Sequence, residues 1–484
     1  MSQLSATNLP RSTRVFQYDR GAATTGILHF GIGNFHRAHQ AVYCEDLLQQ
    51  GDHRWAITGV SLRSASMQDA LKPQDYIYSL AILGKTTDYR IIGAIKDILV
   101  APRDPQAVIE KIANRSTHIV SSTITEKGYY LGANGIDFDH PNLAHDLKSL
   151  DSPKTIFGFV AAGILRRKTL PDEPAKLTIM CCDNISSGGA ILKVGVLKLL
   201  EHHRAEARTW AAAHVTFIST MVDRVCPATT DKLRERVFRA TGKKDAHPVS
   251  AEPFTQWIIE DNFARVRPPF DKVGATFVDD IAPFERMKLA YLNAAHTIVS
   301  TLGYLFGDTY VHEAIARPNI LQFMRQALEN NVLPNAPVPE GYDGQQYIDD
   351  TIRRFKNQNL PYANLQVGTD SSQKIQQRWF PTIDQALQSH ADTSYFQFSL
   401  AAWVTYIKAA LDTGVLNDPK LEAFQKVKPN DLSEQTLSYL RIADAQKFAF
   451  MENGDFIQGV NKFTETILAD GIDKSLSNFI ETRA

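Results

Sequence analysis

Over its first 220 residues the chain alternates short apolar runs with helix-patterned segments, and from about residue 281 the alternation stops. The apolar runs lie at 27–30, 56–62, 76–83, 89–92, 118–123 and 177–182, and the helical patterns at 35–49, 105–113, 155–167 and 189–203. A chain that keeps passing from strand to helix folds as a mostly parallel sheet with helices on its faces. Beyond residue 281, ERMKLAYLNAAHTIVSTLGYLF, ILQFMRQALENN, QQYIDDTIRRF and FQFSLAAWVTYIKAAL all carry helical spacing. The expected architecture is therefore an α/β domain over residues 1–280 followed by a mainly α-helical C-terminal domain over 281–484. With 484 residues the chain is long enough for two substantial cores.

Composition narrows the class of partners. A net charge of -1 gives no general attraction to nucleic acid or anionic membranes. The polar start MSQLSATNLPRSTR lacks the apolar centre of a secretory signal, and no apolar stretch nears the roughly 20 residues that span a bilayer. Cys44, Cys181, Cys182 and Cys226 form no CxxC pair, so reduced thiols in a cytoplasmic protein are expected. Oligomeric state is not legible.

The first strand-to-helix turn reads ILHFGIGNFHRAHQ. Gly31 and Gly33 are placed as in a dinucleotide-binding turn, which needs glycine for a sharp bend and for close approach of phosphate to backbone N–H groups. His36 stands where the third glycine of such a fingerprint falls, implying a slightly wider helix–strand crossing. A plain structural turn is the competing reading. His36 and His39 lack an accompanying acid or cysteine at ligand spacing, so no metal site is expected. The second strand leads into LRSAS, with Arg63 near the position where an acid usually binds the adenosine ribose. Arg63 could pair with a 2′-phosphate or be a solvated loop residue, which leaves NAD and NADP both open.

A second constellation is ERMKLAYLNAAH. At about 100° per residue, Glu285 lies near 60°, His296 near 80° and Asn293 near 140° from Lys288. Such a face is either a wet surface stripe or a catalytic set. Beside a nicotinamide the set has a use. A lysine screened from water can serve as a base for a carbinol proton, and amides such as Asn293 can hydrogen-bond the developing oxyanion. Asn184, in CCDNISSGG, follows a buried strand, where doubly wound sheets present ligand groups.

In order along the chain, GIGNFHRAHQ, TITEKGYY, CCDN, MVDRVCP, EPFTQWIIEDNF and KLAYLNAAH resemble the polyol-specific long-chain dehydrogenases, a family that includes mannitol 2-dehydrogenase, arabinitol dehydrogenase and fructuronate reductase. The resemblance runs from about residue 26 to past residue 410. It implies a Rossmann-type doubly wound sheet domain, a helical domain, an active site between them, and metal-independent hydride transfer at C2 of an acyclic polyol or C5 of a sugar acid. By resemblance Lys288 is the general acid/base, Asn184 and Asn293 the oxyanion pair, His296 the substrate-orienting histidine and Glu285 a proton-channel group. Asp223 and Lys374 match substrate-contacting positions. Gly31, Gly33, Phe35, His36 and Arg37 fall in the nucleotide loop. Departures touch the substrate: Ala294-Ala295 replaces a usual Gly-Ser, and Gln366 stands where mannitol dehydrogenases carry an arginine. DSSQKIQQR, with Arg378, looks more like the sugar-acid reductases, whereas YVHEAI and NAPVPEGYDG look closer to the mannitol branch. The leading expectation is an NAD(H)-linked dehydrogenase acting on D-mannonate/D-fructuronate, slightly favoured, or D-mannitol/D-fructose. The alternatives are an NADP-dependent phosphosugar dehydrogenase of the 6-phosphogluconate type and a non-catalytic nucleotide sensor.

Overall fold

The computed structural model describes residues 2–132, 135–171 and 175–483, in two compact units, Met1–Ala282 and Pro283–Ala484. The first is built on an eight-stranded sheet. Across it the strands run Thr276–Val278, Gln256–Glu260, Val215–Asp223, Leu177–Cys181, Ile119–Ser122, Ile27–Phe30, Ile57–Ser61 and Ile95–Val100. The six from Val215–Asp223 to Ile95–Val100 are parallel, and Gln256–Glu260 is antiparallel to its neighbour Val215–Asp223. Both faces of the sheet are covered, which is why its central strands read as continuous apolar runs. Leu28, Phe30, Val120 and Ile179 pack with helices Pro105–Ala113, Ile156–Lys168 and Gly188–His203. Ile27, Ile57, Ile119 and Met180 share the other core with helix Gln40–Gln49 and with Trp55, Trp257 and Phe270.

The chain lays strands outward from Ile27–Phe30 to Ile95–Val100, then returns to the other side of Ile27–Phe30 with Ile119–Ser122. The strand order thus reverses between these two, and at their carboxyl ends neighbouring connections diverge to opposite faces and open a crevice. This is a Rossmann-type arrangement.

Two expectations about elements require correction. Tyr78–Leu83 and Thr87–Ile92 do not join the main sheet; they form an antiparallel hairpin that Val249–Ala251 extends into a separate three-stranded sheet. Three residues, Gly84 to Thr86, connect them, too few for the crossover that parallel neighbours need. The helix expected over 35–49 is two helices, Asn34–Ala38 and Gln40–Gln49, broken at His39 with φ -123° and ψ -93°.

The second unit is helical. Its core gathers Ala294–Leu305, Ser394–Asp412 and Gly454–Asp470, with Phe323, Phe398 and Phe479 meeting ring against ring at centroid distances of 4.8–5.4 Å. Among the described residues no helix is long and apolar enough to cross a membrane.

Beneath the first turn, His29 is fully buried between Ser121 Oγ (2.8 Å from Nδ1) and Thr123 Oγ1 (2.9 Å from Nε2). Burial pushes its pKa down to about 3 and that of His36, stacked on it, well below the ordinary value of 6.5. Between these values the unfolded chain binds protons that the folded chain refuses. The histidines' contribution is therefore complete above pH 6.5 and is lost on acidification toward pH 3. Urea unfolding between pH 4 and 6.5 is expected to show wild-type stability falling on acidification more steeply than that of His29→Gln, by about 1.4 kcal/mol per pH unit.

Candidate active site

Because the central strands are parallel, their carboxyl ends share one edge of the sheet. Gly31 follows the first strand, Arg63 the second, Thr123 the fourth and Asn184 the fifth, and Asp223 ends the sixth. Gly31 has φ +99°, and a Cβ there would lie 2.1 Å from the Thr123 carbonyl oxygen. Thr123 closes the contact: its N–H donates to the Phe30 carbonyl (2.8 Å) and its hydroxyl to the Gly31 carbonyl (2.8 Å). Only glycine fits this position. Gly33 differs. It is exposed, its φ is not left-handed, and a Cβ there would meet nothing within 4 Å. The fold does not require a glycine at 33, whereas a ligand laid close along the backbone would. The loop therefore fits the pyrophosphate of a dinucleotide.

Two residues assigned to the nucleotide loop are buried beneath it. His36 is wholly buried and stacks on His29 with ring centroids 3.5 Å apart. A flat ring pair thus supplies the close helix–strand contact that the third glycine supplies elsewhere. Arg37 is also wholly buried; it donates to the His247 carbonyl (2.5 Å) and to Asn34 Oδ1 (2.8 Å), and lies over the Tyr78 ring at 5.1 Å. Burial lowers its pKa to about 10, which still leaves it charged at neutral pH. Both residues support the loop from beneath. Phe35, half-buried, stacks on His39, whose Nε2 lies 3.0 Å from the Gln256 carbonyl. His36 and His39 thus face different partners.

At the end of the second strand Arg63 is exposed and makes no hydrogen bond or ion pair among the described residues. No carboxylate stands between Ser61 and Ser66, and Asp69 is paired with Arg103 (3.4 Å). Asn184 is exposed in the turn after Leu177–Cys181, and Asp223 is buried. Sequence reasoning missed Asp183, whose carboxylate accepts from Ile124 N, Thr125 N and Tyr129 Oη at 2.9, 2.8 and 2.5 Å. The aspartate inside CCDN was the available signal.

In the second unit the run of Ala282–Leu305 is not a uniform helix. Ala282–Lys288 is α-helical, Leu289–Asn293 is a π-turn, and Ala294–Leu305 is α-helical again. The 100° wheel needs correcting accordingly. A π-turn bonds residue i to residue i+5, so Lys288 and Asn293 come onto one side of the helix instead of standing far apart around it. Glu285, three before Lys288, and His296, three after Asn293, extend the same side. Met287, Ala290 and Tyr291 fill the opposite side in the core, with Tyr291 Oη donating to the Ala336 carbonyl (2.8 Å). Lys288 is 7% exposed and Asn293 8%; Glu285 and His296 are half-buried. The His296 ring packs on Phe355 at 4.2 Å and Tyr362 at 5.7 Å.

Arg378 joins this face. Its Nη1 donates to the Asn293 carbonyl (3.2 Å) and the Thr297 hydroxyl (2.8 Å), holding the exit of the π-turn. Lys374, one turn earlier on the same helix, donates from Nζ to the Val367 carbonyl (3.1 Å). Gln366 is exposed on helix Asn364–Gly368. Among the described residues no three His, Cys, Asp or Glu side chains gather as a metal ion would need.

Comparison with known proteins gives a consistent result. The family model of the mannitol dehydrogenase Rossmann domain matches residues 25–272, and that of the mannitol dehydrogenase C-terminal domain matches 280–468. The chain is 36% identical to mannitol 2-dehydrogenase of Aspergillus fumigatus, over 96% of this chain and 95% of that one. Pseudomonas fluorescens mannitol 2-dehydrogenase, solved as a ternary complex with NAD and D-mannitol, is similar with a TM-score of 0.86, 33% identity and 99% of each chain covered. A D-sorbitol dehydrogenase structure is similar with a TM-score of 0.87 and 30% identity, covering 98% of this chain and all of that one.

The two glycines are expected to fail differently. Gly31→Ala destabilises the fold by about 3 kcal/mol through the Thr123 clash and the left-handed backbone, read by urea unfolding. Gly33→Ala keeps wild-type stability and loses about tenfold in dinucleotide affinity, read by titration calorimetry.

Proposed function

This chain belongs to the mannitol dehydrogenase family and is a dehydrogenase acting on CH–OH groups, and from that premise we propose that it interconverts D-mannitol and D-fructose with NAD. The observation carrying this reading is the π-turn, which puts Lys288 and Asn293 on one side of a helix with Glu285 and His296. Gly31 and Gly33 would hold the cofactor's pyrophosphate, with Phe35 beside them. Bound there, NAD supplies the hydride acceptor.

The protein's own groups handle the proton and the oxygen. As hydride leaves C2, the hydroxyl proton passes to Nζ of Lys288, which acts as the base. Asn293 and Asn184 donate their amide N–H groups to the oxygen as it gains negative charge. His296, steadied by Phe355 and Tyr362, orients the hydroxyl. Little water reaches an amine on a residue only 7% exposed, so the proton leaves through a neighbour. Glu285, one turn away and half-exposed, passes it to solvent. Asp223 and Lys374 contact the remaining hydroxyls. In fructose reduction the same groups return the proton.

A neutral polyol is favoured over a sugar acid by the occupation of Arg378. Its Nη1 already serves Asn293 and Thr297, which leaves its fork less available for a paired carboxylate contact. D-Mannonate with D-fructuronate is the second reading, since Arg378 still lies against Asn293.

Lys288→Ala is expected to lower kcat for mannitol oxidation by at least about 100-fold while NADH affinity, measured by fluorescence titration, changes little. Unchanged kcat refutes the mechanism. A spectrophotometric screen of mannitol, sorbitol, arabinitol, fructose, mannonate and fructuronate with NAD(H) and NADP(H) is expected to give the highest kcat/KM for mannitol and fructose with NAD(H). Equal rates with NADP(H), abolished in Arg63→Ala, would instead assign Arg63 to a 2′-phosphate.

A further inference from the structure

The turn after Ile119–Ser122 carries the most strained residue near the candidate site. Thr125 has φ +65° and ψ +161°, a region populated essentially by glycine alone. A β-branched residue there is strained and persists only where its surroundings impose it. The imposing group is Asp183. One carboxylate oxygen accepts from the Ile124 N–H (2.9 Å) and the Tyr129 hydroxyl (2.5 Å), and the other accepts from the Thr125 N–H (2.8 Å). The Tyr129 hydroxyl lies 3.0 Å from Ser122 Oγ and 3.2 Å from Cys181 Sγ, which ties the clamp to the ends of both strands. Asp183 and Tyr129 are buried, at 8% and 0% exposure.

The clamped turn borders the nucleotide loop directly. Thr123 bonds Phe30 and Gly31, and its carbonyl occupies the space a Gly31 Cβ would need. A shift of the turn by a few tenths of an ångström therefore moves the Gly31 backbone. Asp183 is also the residue before Asn184, so the same carboxylate anchors that side chain's stem.

We propose that Asp183 is a positioning residue: with Tyr129 it holds the strained turn 123–125 against Gly31 and so preforms the dinucleotide site. The proposal rests on the reading that the Gly31 loop binds NAD. Asn at 183 keeps one acceptor oxygen but turns an N–H toward a backbone N–H, so a clamp bond is lost and a donor faces a donor. Glycine at 125 lowers the cost of the left-handed conformation and replaces part of what the clamp does.

The test is NADH titration by fluorescence, without substrate, on folded protein verified by circular dichroism. Asp183→Asn is expected to raise the NADH dissociation constant about tenfold, and kcat/KM is expected to fall by up to about 100-fold as Asn184 loses its position. Tyr129→Phe keeps both amide bonds and is expected to show a smaller rise, about threefold. Adding Thr125→Gly to Asp183→Asn is expected to recover part of the NADH affinity. If Asp183→Asn does not fold, Tyr129→Phe and Thr125→Gly/Tyr129→Phe provide the same comparison. NADH affinity unchanged in the folded clamp variants, or lost without recovery by Thr125→Gly, overturns the proposal. Absence of NADH binding by the wild type would instead overturn the reading of the Gly31 loop, so the two failures are distinct.

Discussion

The contact between Gly31 and the Thr123 carbonyl fixes more of this molecule than any other. It sits where the sheet reverses its strand order, so it sets how closely Ile27–Phe30 and Ile119–Ser122 approach at their carboxyl ends. The position admits no side chain, and the left-handed φ of +99° admits few residues but glycine. Once that approach is fixed, the Phe30 and Gly31 carbonyls accept from the Thr123 N–H and hydroxyl, and the N–H groups of the following turn are left for Asp183. The crevice that opens beside a reversal of strand order is thus stiffened from both walls.

Below that crevice lies an unusual foundation. His29 and His36 form a neutral, stacked ring pair, and Arg37 is buried under the loop with its guanidinium on the His247 carbonyl and Asn34. A buried cation is tolerated when its N–H groups meet acceptors; both terminal nitrogens of Arg37 do so, on segments far apart in sequence. The short helix Asn34–Ala38 is consequently pinned at Arg37, and the chain must bend at His39 before Gln40–Gln49 can take up its place in the core.

The architecture was legible where one physical signal dominated. Apolar runs marked the strands buried on both faces, and the loss of alternation near residue 281 marked the change to helices. The hairpin Tyr78–Leu83/Thr87–Ile92 was misplaced because strand propensity says nothing about which sheet a strand joins; the three-residue connection did contain that information. Ile95–Val100 was missed because an edge strand with Lys96 and Asp97 lacks an apolar run. The burial of His36 and Arg37 was illegible because polar residues next to a glycine-rich turn read as solvent- or ligand-facing. Asp183 and Thr125 escaped for a related reason: a left-handed threonine is unfavourable in isolation, and only the distant carboxylate explains it.

The Lys288 helix shows how a small irregularity changes a functional argument. On a uniform α-helix Lys288 and Asn293 diverge by about 140°, and a shared role would strain the geometry. The extra residue of the π-turn brings them onto one side, but it also disturbs the regular pairing of carbonyls near Asn293. That carbonyl is met by Arg378 and by the Thr297 hydroxyl, so Arg378 stabilises the irregularity that the candidate face depends on. Glycine or proline is absent from LAYLN, so packing holds the turn instead: Tyr291 reaches Ala336 on one side and Arg378 reaches Asn293 on the other. A helix held from both sides at its one irregular turn keeps its candidate groups fixed, as chemistry requiring sub-ångström placement demands.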